Sequence, residues 1–138
     1  MIVRRLDDLV GTERDVDGGT WRSRRLMLAA DGLPYSLHDT ILHAGTTTEM
    51  WYRHHVESVY CIDGRGELVD RETGARHRLE PGTLYVLDRH DRHTVVAETA
   101  LRMVCVFMPA VTGEEVHLPD GSYPAPTPTD DEPEGAPA

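Results

Sequence analysis

Two short stretches of this 138-residue chain concentrate side chains that bind metals or move protons. The first holds His54, His55 and Glu57; the second holds Tyr85, His90 and His93. Eight histidines are many for this length, although surface histidines scattered by chance would account for the number alone. Imidazole, carboxylate and phenol on adjacent strands would suit a metal site. Side chains alternate faces along a strand, so Trp51, Arg53, His55 and Glu57 share one face of a regular strand. Thr83, Tyr85 and Leu87 share another, and His93 keeps their parity beyond the turn at Asp88-Arg89-His90-Asp91. If both faces line one barrel, Glu57, Tyr85 and His93 offer two oxygens and one nitrogen. That donor set suits Fe(II) or a similar divalent ion better than a thiolate-loving one. It also leaves coordination positions open for a substrate.

The elements that would carry these residues read as β. Short apolar or alternating runs recur between turn residues, and no long segment keeps a 3.6-residue period. The candidate strands are 2–5, 22–28, 36–43, 51–55, 58–62, 66–69, 76–79, 83–87, 94–97 and 101–108. Asp63-Gly64-Arg65-Gly66 and Glu72-Thr73-Gly74 have the composition of hairpin turns. Glu80-Pro81-Gly82 looks like a turn feeding a strand. Only 6–10 suggests a short helix. Many short strands at turn spacing predict an all-β sandwich or barrel.

The length is that of one domain. Composition changes sharply after Tyr123, where five of the nine prolines and four carboxylates follow without a large aliphatic residue. Such a segment buries too little surface to offset its ordering entropy. The chain therefore divides into a domain over 1–123 and an acidic, flexible tail over 124–138, a solvated end or a lid. The net charge of −10 argues against nucleic acid and anionic membranes as partners. No apolar run approaches the roughly 20 residues of a transmembrane helix, and Met-Ile-Val-Arg-Arg is not a signal peptide. A cytoplasmic protein with two buried, reduced thiols, Cys61 and Cys105, is expected.

Spacing adds a family frame. Gly45, Trp51, Arg53, Glu57 and Gly64 keep the intervals of the first cupin motif, and Gly74, Glu80, Pro81, Gly82 and Tyr85 those of the second. The chain thus resembles the cupins, single-domain double-stranded β-helix barrels that often hold a metal. It departs from them where Trp51, Arg53 and Tyr85 replace the usual histidines. Those departures resemble one branch, the ectoine synthase family. The similarity runs through Tyr52-Arg53-His54-His55-Val56-Glu57-Ser58-Val59-Tyr60-Cys61-Ile62-Asp63-Gly64 and through 81–93. It continues through Cys105-Val106-Phe107-Met108-Pro109, Thr112-Gly113-Glu114-Glu115-Val116-His117 and Asp120-Gly121-Ser122-Tyr123.

The resemblance implies closure of a ring in Nγ-acetyl-L-2,4-diaminobutyrate, with loss of water, to give the compatible solute ectoine. It implies an iron-dependent homodimer with metal ligands at Glu57, Tyr85 and His93. It places the pocket at Trp21, Arg25, Thr40, Tyr52, His55, Leu87, Phe107, Glu115 and His117; His38 is a further position, variable within the family. The chemistry has matching needs. Both reacting groups sit in one molecule, so holding it curled contributes on the order of 7–11 kcal/mol. The carbonyl must be polarised, the amine deprotonated and the departing oxygen protonated. Glu115 is the favoured base and shares parity with His117; Tyr52 is the favoured acid, with His117 as the alternative. Tyr52 has the wrong strand parity to face inward unless a bulge intervenes. Arg25 would grip the substrate carboxylate, while Arg22 and Arg24 read as solvated charges. Trp21 and Phe107 would exclude water or simply pack in the core. The competing readings are another cupin enzyme and a cupin that binds a small solute without turning it over.

Overall fold

Alternating apolar residues punctuated by turn glycines fold this chain into antiparallel sheets. The computed structural model describes residues 1–115, 117–119 and 121–125. Its strands are β1 (Asp15–Asp17), β2 (Trp21–Met27), β3 (Ser36–Leu42), β4 (Thr46–Met50) and β5 (Val56–Asp63). They continue as β6 (Gly66–Asp70), β7 (Arg76–Leu79), β8 (Leu84–Leu87), β9 (His93–Ala97) and β10 (Leu101–Met108). One sheet has the order β1-β2-β3-β10-β5-β8 and the other β4-β9-β6-β7. This is the expected all-β, double-stranded β-helix arrangement. Tyr123 is buried and Pro124 and Ala125 are exposed; the rest of the tail, 126–138, lies outside the described residues.

Four expectations need correction. Residues 2–5 lie in no strand; Arg4 instead donates to both carboxylate oxygens of Asp31, at 3.0 and 2.6 Å. The strand expected at 51–55 does not form; a strand not anticipated, β4, occupies Thr46–Met50 just before it. There the chain leaves the four-stranded sheet for the six-stranded one and must bend. Trp51 N–H donates to Gly121 O at 3.2 Å and Trp51 Nε1 to His90 O at 2.8 Å, fixing the bend. Arg24 is not solvated: it is 7% exposed and donates to Asp39 Oδ1 at 2.6 Å. The helix expected at 6–10 shrinks to one 3₁₀ turn, Leu6–Asp8.

Register sets the inner face. Arg25 pairs with His38, His38 with Cys105, Cys105 with Val59 and Val59 with Tyr85, one row across five strands. The next row runs Ser36, Phe107, Glu57, Leu87. Val59, Cys61, Leu79, Val95, Ala97 and Leu101 fill the apolar part of the barrel and are almost fully buried. Both cysteines are buried free thiols, as expected.

The hairpin between β5 and β6 depends on a glycine. Gly64 has φ +91°, and a Cβ there would lie 2.0 Å from Ala100 O. Gly64→Ala meets both a backbone clash and an unfavourable φ. We expect it to lower stability by about 2–4 kcal/mol in a urea melt; an unchanged midpoint would show that the β5–β6 turn relaxes freely.

Candidate active site

The inner rows of β2, β3, β5 and β10 converge on a cavity of about 40 Å³. Trp21, Thr40, Tyr52, Glu57, Tyr85, Phe107 and His117 line it. Its aromatic side is continuous. Tyr52 meets Phe107 edge-on at 5.0 Å, and Trp21 lies 5.3 Å from His117. His55 is 2% exposed and stands edge-on to Phe107 at 5.9 Å, its Nδ1 without a partner among the described residues.

The bend after β4 resolves the parity problem of Tyr52. Residues 51–55 are not extended in a sheet, so alternation does not apply. His90 Nδ1 donates to Tyr52 O at 2.9 Å and holds the bend. Tyr52 turns inward and is 4% exposed, whereas Trp51 stays at the rim between the guanidinium groups of Arg53 and Arg92, 5.0 and 4.8 Å from its ring. Arg53 is exposed and does not line the cavity.

Tyr85 has both Glu57 and His93 as neighbours at one inner corner of the barrel. Glu57 and Tyr85 line the main cavity; Tyr85 and His93 also line a second groove between β7 and β8, which Leu87 shares. The Tyr85 and His93 rings are 6.5 Å apart. Among the described residues, no three His, Cys, Asp or Glu side chains form a metal-binding group; this corner combines one Glu and one His with a phenol. His93 Nδ1 lies 3.0 Å from Asp91 O and donates to it, which leaves Nε2 as a bare lone pair. That Nε2 is buried without a partner among the described residues. An orphaned imidazole nitrogen oriented by a carbonyl on its other side is the usual preparation of a metal ligand. Burial pushes Glu57 up to about 8, against the lowering effect of the Cys105 thiol beside it. Burial likewise holds Tyr85 well above the usual phenol range, and Glu57 adds to the effect.

Tyr52 Oη and His117 Nε2 lie 3.0 Å apart. Burial raises Tyr52, so its hydroxyl keeps its proton. Burial, with the positive charge of Arg25 and the neighbouring His93, lowers His117 to about 4. A neutral imidazole therefore faces a protonated phenol, one able to accept a proton and the other to give one. Glu115 is placed differently. Oε1 accepts from Thr112 N at 2.7 Å and Thr112 Oγ1 at 2.6 Å, and Oε2 accepts from Gly113 N at 3.0 Å. Burial raises its pKa, but these bonds outweigh that and hold it low. Glu115 and His117 lie in no strand, so the parity that paired them does not exist.

Arg25 is the least expected buried group. It is 0% exposed; Nη1 donates to Gly113 O at 2.8 Å, and Nε and Nη2 have no partner among the described residues.

These titrations set a pH dependence of stability. Burial, then Arg25, lowers His38 to about 3, and His117 stands at about 4. Unfolded histidine protonates near 6.5, so as pH falls below that the unfolded chain binds more protons and stability drops. Glu57 has the opposite sign between about 8 and its ordinary 4.5, because its folded form holds the proton. Below 4.5 that compensation is exhausted. Asp15 and Asp31, lowered to about 2 chiefly by hydrogen bonds from Arg22 and Arg4, then add their own acid loss. Urea midpoints should fall gently between pH 6.5 and 4.5, where two lowered histidines oppose one raised carboxyl, and more steeply below 4.5; a flat profile below 4.5 would contradict the buried neutral histidines.

Comparison with known proteins decides the family. The family model described as ectoine synthase matches residues 1–127. An L-ectoine synthase of Thermobifida fusca is 55% identical over 124 residues, 90% of this chain and 92% of that protein. The chain belongs to the ectoine synthase family.

The crystal structure of a family member, the ectoine synthase of P. lautus, superposes with a TM-score of 0.83 at 45% identity, covering 97% of both chains. A Cupin 2 conserved barrel domain protein from Salinispora arenicola has a TM-score of 0.62 at 26% identity, covering 78% of this chain and 88% of that one. The wider cupin likeness thus extends over 78% of the chain and the family likeness over 97%.

Sequence reasoning missed several residues that line the cavity: Ser23, Met50, Met103, Cys105 and Tyr123. Met103 and Cys105 carried a signal, since they alternate with Phe107 on one strand. Tyr123 lies 4.7 Å from His117, ring to ring and tilted by 47°. It stands at the edge of the proline-rich segment, where composition gives no hint of burial. Ser23 carried no signal beyond its parity with Trp21 and Arg25.

Proposed function

We propose that this chain acts as an L-ectoine synthase, closing Nγ-acetyl-L-2,4-diaminobutyrate on itself with loss of water. The observation that carries the substrate assignment is Arg25. A buried guanidinium with two unpartnered nitrogens, beside an aromatic cavity, is matched by the carboxylate of a small acid. Trp21, Phe107 and Tyr52 hold the chain of that acid curled and exclude water, so its amine meets its own acetamide carbon. Thr40 adds a hydroxyl to the same wall, and His55 and Leu87 complete its surroundings. His117 takes the proton released by the attacking amine. Tyr52 gives the departing oxygen a proton, recovers one through its bond to His117, and repeats the transfer with the second proton the nitrogens release, so the oxygen departs as water and a C=N bond remains. Glu115 keeps the 112–115 loop over Arg25 rather than acting as the base.

Glu57, Tyr85 and His93 would hold a divalent ion, Fe(II) by their donor types. Bound there, it would supply Lewis-acid polarisation of the acetamide carbonyl. The unpartnered Nε2 of His93 supports that fit. The product would serve as a compatible solute under osmotic stress, in a cytoplasmic setting; no helix among the described residues is long and apolar enough to cross a membrane. A homodimer would cover the outer face of β5, β8 and β10, where Tyr60, Leu84, Val86 and Met108 are exposed beside the open edge of β8.

The test is turnover of Nγ-acetyl-L-2,4-diaminobutyrate with added Fe(II), read by chromatography. Ectoine should form with the wild type and fall at least 100-fold with Glu57→Ala or a chelator. A substrate-induced rise in melting temperature without product would favour the solute-binding reading instead.

A further inference from the structure

A hydrogen-bonded chain outside the residues assigned above runs from a backbone amide to the cavity wall. Val111 N–H donates to Ser36 Oγ at 3.0 Å. Ser36 Oγ lies 3.0 Å from His38 Nε2, and His38 Nδ1 lies 3.2 Å from Ser23 Oγ. Ser36, His38 and Ser23 are 0%, 1% and 3% exposed. His38 and Ser23 line the cavity; Ser36 stands behind them.

The proton positions in this chain follow from bookkeeping of donors. An amide N–H only donates, so Val111 occupies one lone pair of Ser36 Oγ. Ser36 has no further hydrogen bond among the described residues except that to His38, so its own proton has one acceptor, Nε2. Burial and the neighbouring charge of Arg25 keep the His38 ring neutral, with a single ring proton. Because Nε2 accepts, that proton sits on Nδ1 and is donated to Ser23 Oγ. The hydroxyl proton of Ser23 is then left over and available to the cavity. The opposite tautomer would strand the Ser36 hydroxyl proton at a site 0% exposed, at the cost of an unmade buried bond.

The location of that donor is equally defined. His38 stands directly across from Arg25 in the β2–β3 ladder while bonding Ser23, two residues before Arg25 on β2. The Arg25 fork and the Ser23 hydroxyl therefore flank one imidazole. We infer that Ser23 is a substrate-binding residue whose hydroxyl is fixed as a donor by the Val111–Ser36–His38 relay. It meets a carboxylate oxygen of the acid held at Arg25. Ser36 and His38 are positioning residues: they act through Ser23. This assignment rests on the substrate reading above for the identity of the acceptor, while the direction of the relay stands on the structure alone.

Two measurements test it. The imidazole ¹⁵N spectrum of labelled wild-type protein, with His38→Gln to assign the signals, should show a protonated Nδ1 and a bare Nε2 for His38. A proton on Nε2 would overturn the relay, whether or not the protein makes ectoine. In steady-state kinetics, Ser23→Ala should raise KM on the order of tenfold with little change in kcat, the expected loss for one hydrogen bond to a charged group. Ser23→Thr should restore most of it. Ser36→Ala should raise KM in the wild-type background and have no further effect on KM in the Ser23→Ala background. Additive effects of the two, or an unchanged KM in Ser23→Ala, would refute the assignment. The wild-type spectrum keeps the relay testable should Ser36→Ala fold poorly.

Discussion

Replacing Arg25 with methionine should raise KM for the substrate by 100-fold or more and raise the melting temperature of the ligand-free protein. The two effects have one origin. Arg25 carries a full charge at 0% exposure, with one nitrogen on Gly113 O and two nitrogens unpartnered among the described residues. Removing a charge from water is compensated only by good partners, and here part of that compensation waits for the ligand. Truncating one member of a buried charge pair costs about 2–5 kcal/mol in binding, equivalent to roughly 30-fold to several thousand-fold in affinity. In the free protein the same substitution removes an under-compensated charge and keeps much of the volume. Gains of about 1–4 kcal/mol are known for such replacements, or several degrees in a domain of this size. Steady-state kinetics and thermal melts read both quantities. A lower melting temperature with an unchanged KM would make Arg25 a clamp for the Gly113 loop and nothing more.

Tyr52→Phe should lower kcat by about 100- to 10,000-fold while leaving KM within a few-fold and the melting temperature within a few degrees. The ring stays, so its contacts with Phe107 at 5.0 Å and Tyr123 at 5.2 Å are retained. What is lost is the hydroxyl 3.0 Å from His117 Nε2. Burial keeps that hydroxyl protonated, which makes it a donor to the leaving oxygen. The variant also leaves His117 without its partner, so the acid limb of the pH–rate profile should shift as well as the amplitude. A variant with wild-type kcat would transfer the acid role to His117 and reduce Tyr52 to wall packing.

The extent to which the chain could be read in advance differed between elements for physical reasons. β7 and β10 fall at their anticipated bounds because alternation and flanking turns are local properties. The segment 51–55 was misread because its apolar residues satisfy a β pattern, while the crossing between sheets demands a bend that no local pattern records. β1, only Asp15–Asp17, was invisible because its strand character comes entirely from pairing with β2. Arg24 read as a surface charge since nothing in its neighbours reveals Asp39 directly across the ladder.

By itself the sequence determined the all-β class, the acidic charge, the turn glycines and, through its motifs, the family and the residue types of the site. Those are local or compositional properties, and they survive without knowledge of which strand pairs with which. Only the tertiary structure decided that Tyr52 faces inward, that Tyr123 belongs to the cavity and that Arg25 keeps two nitrogens without partners among the described residues. Each of these depends on groups far apart in the chain: Arg25 on Gly113, Tyr52 on His90 and His117, Ser36 on Val111. A hydrogen bond forms within about 3 Å, and only the register of the folded sheets brings such distant groups that close.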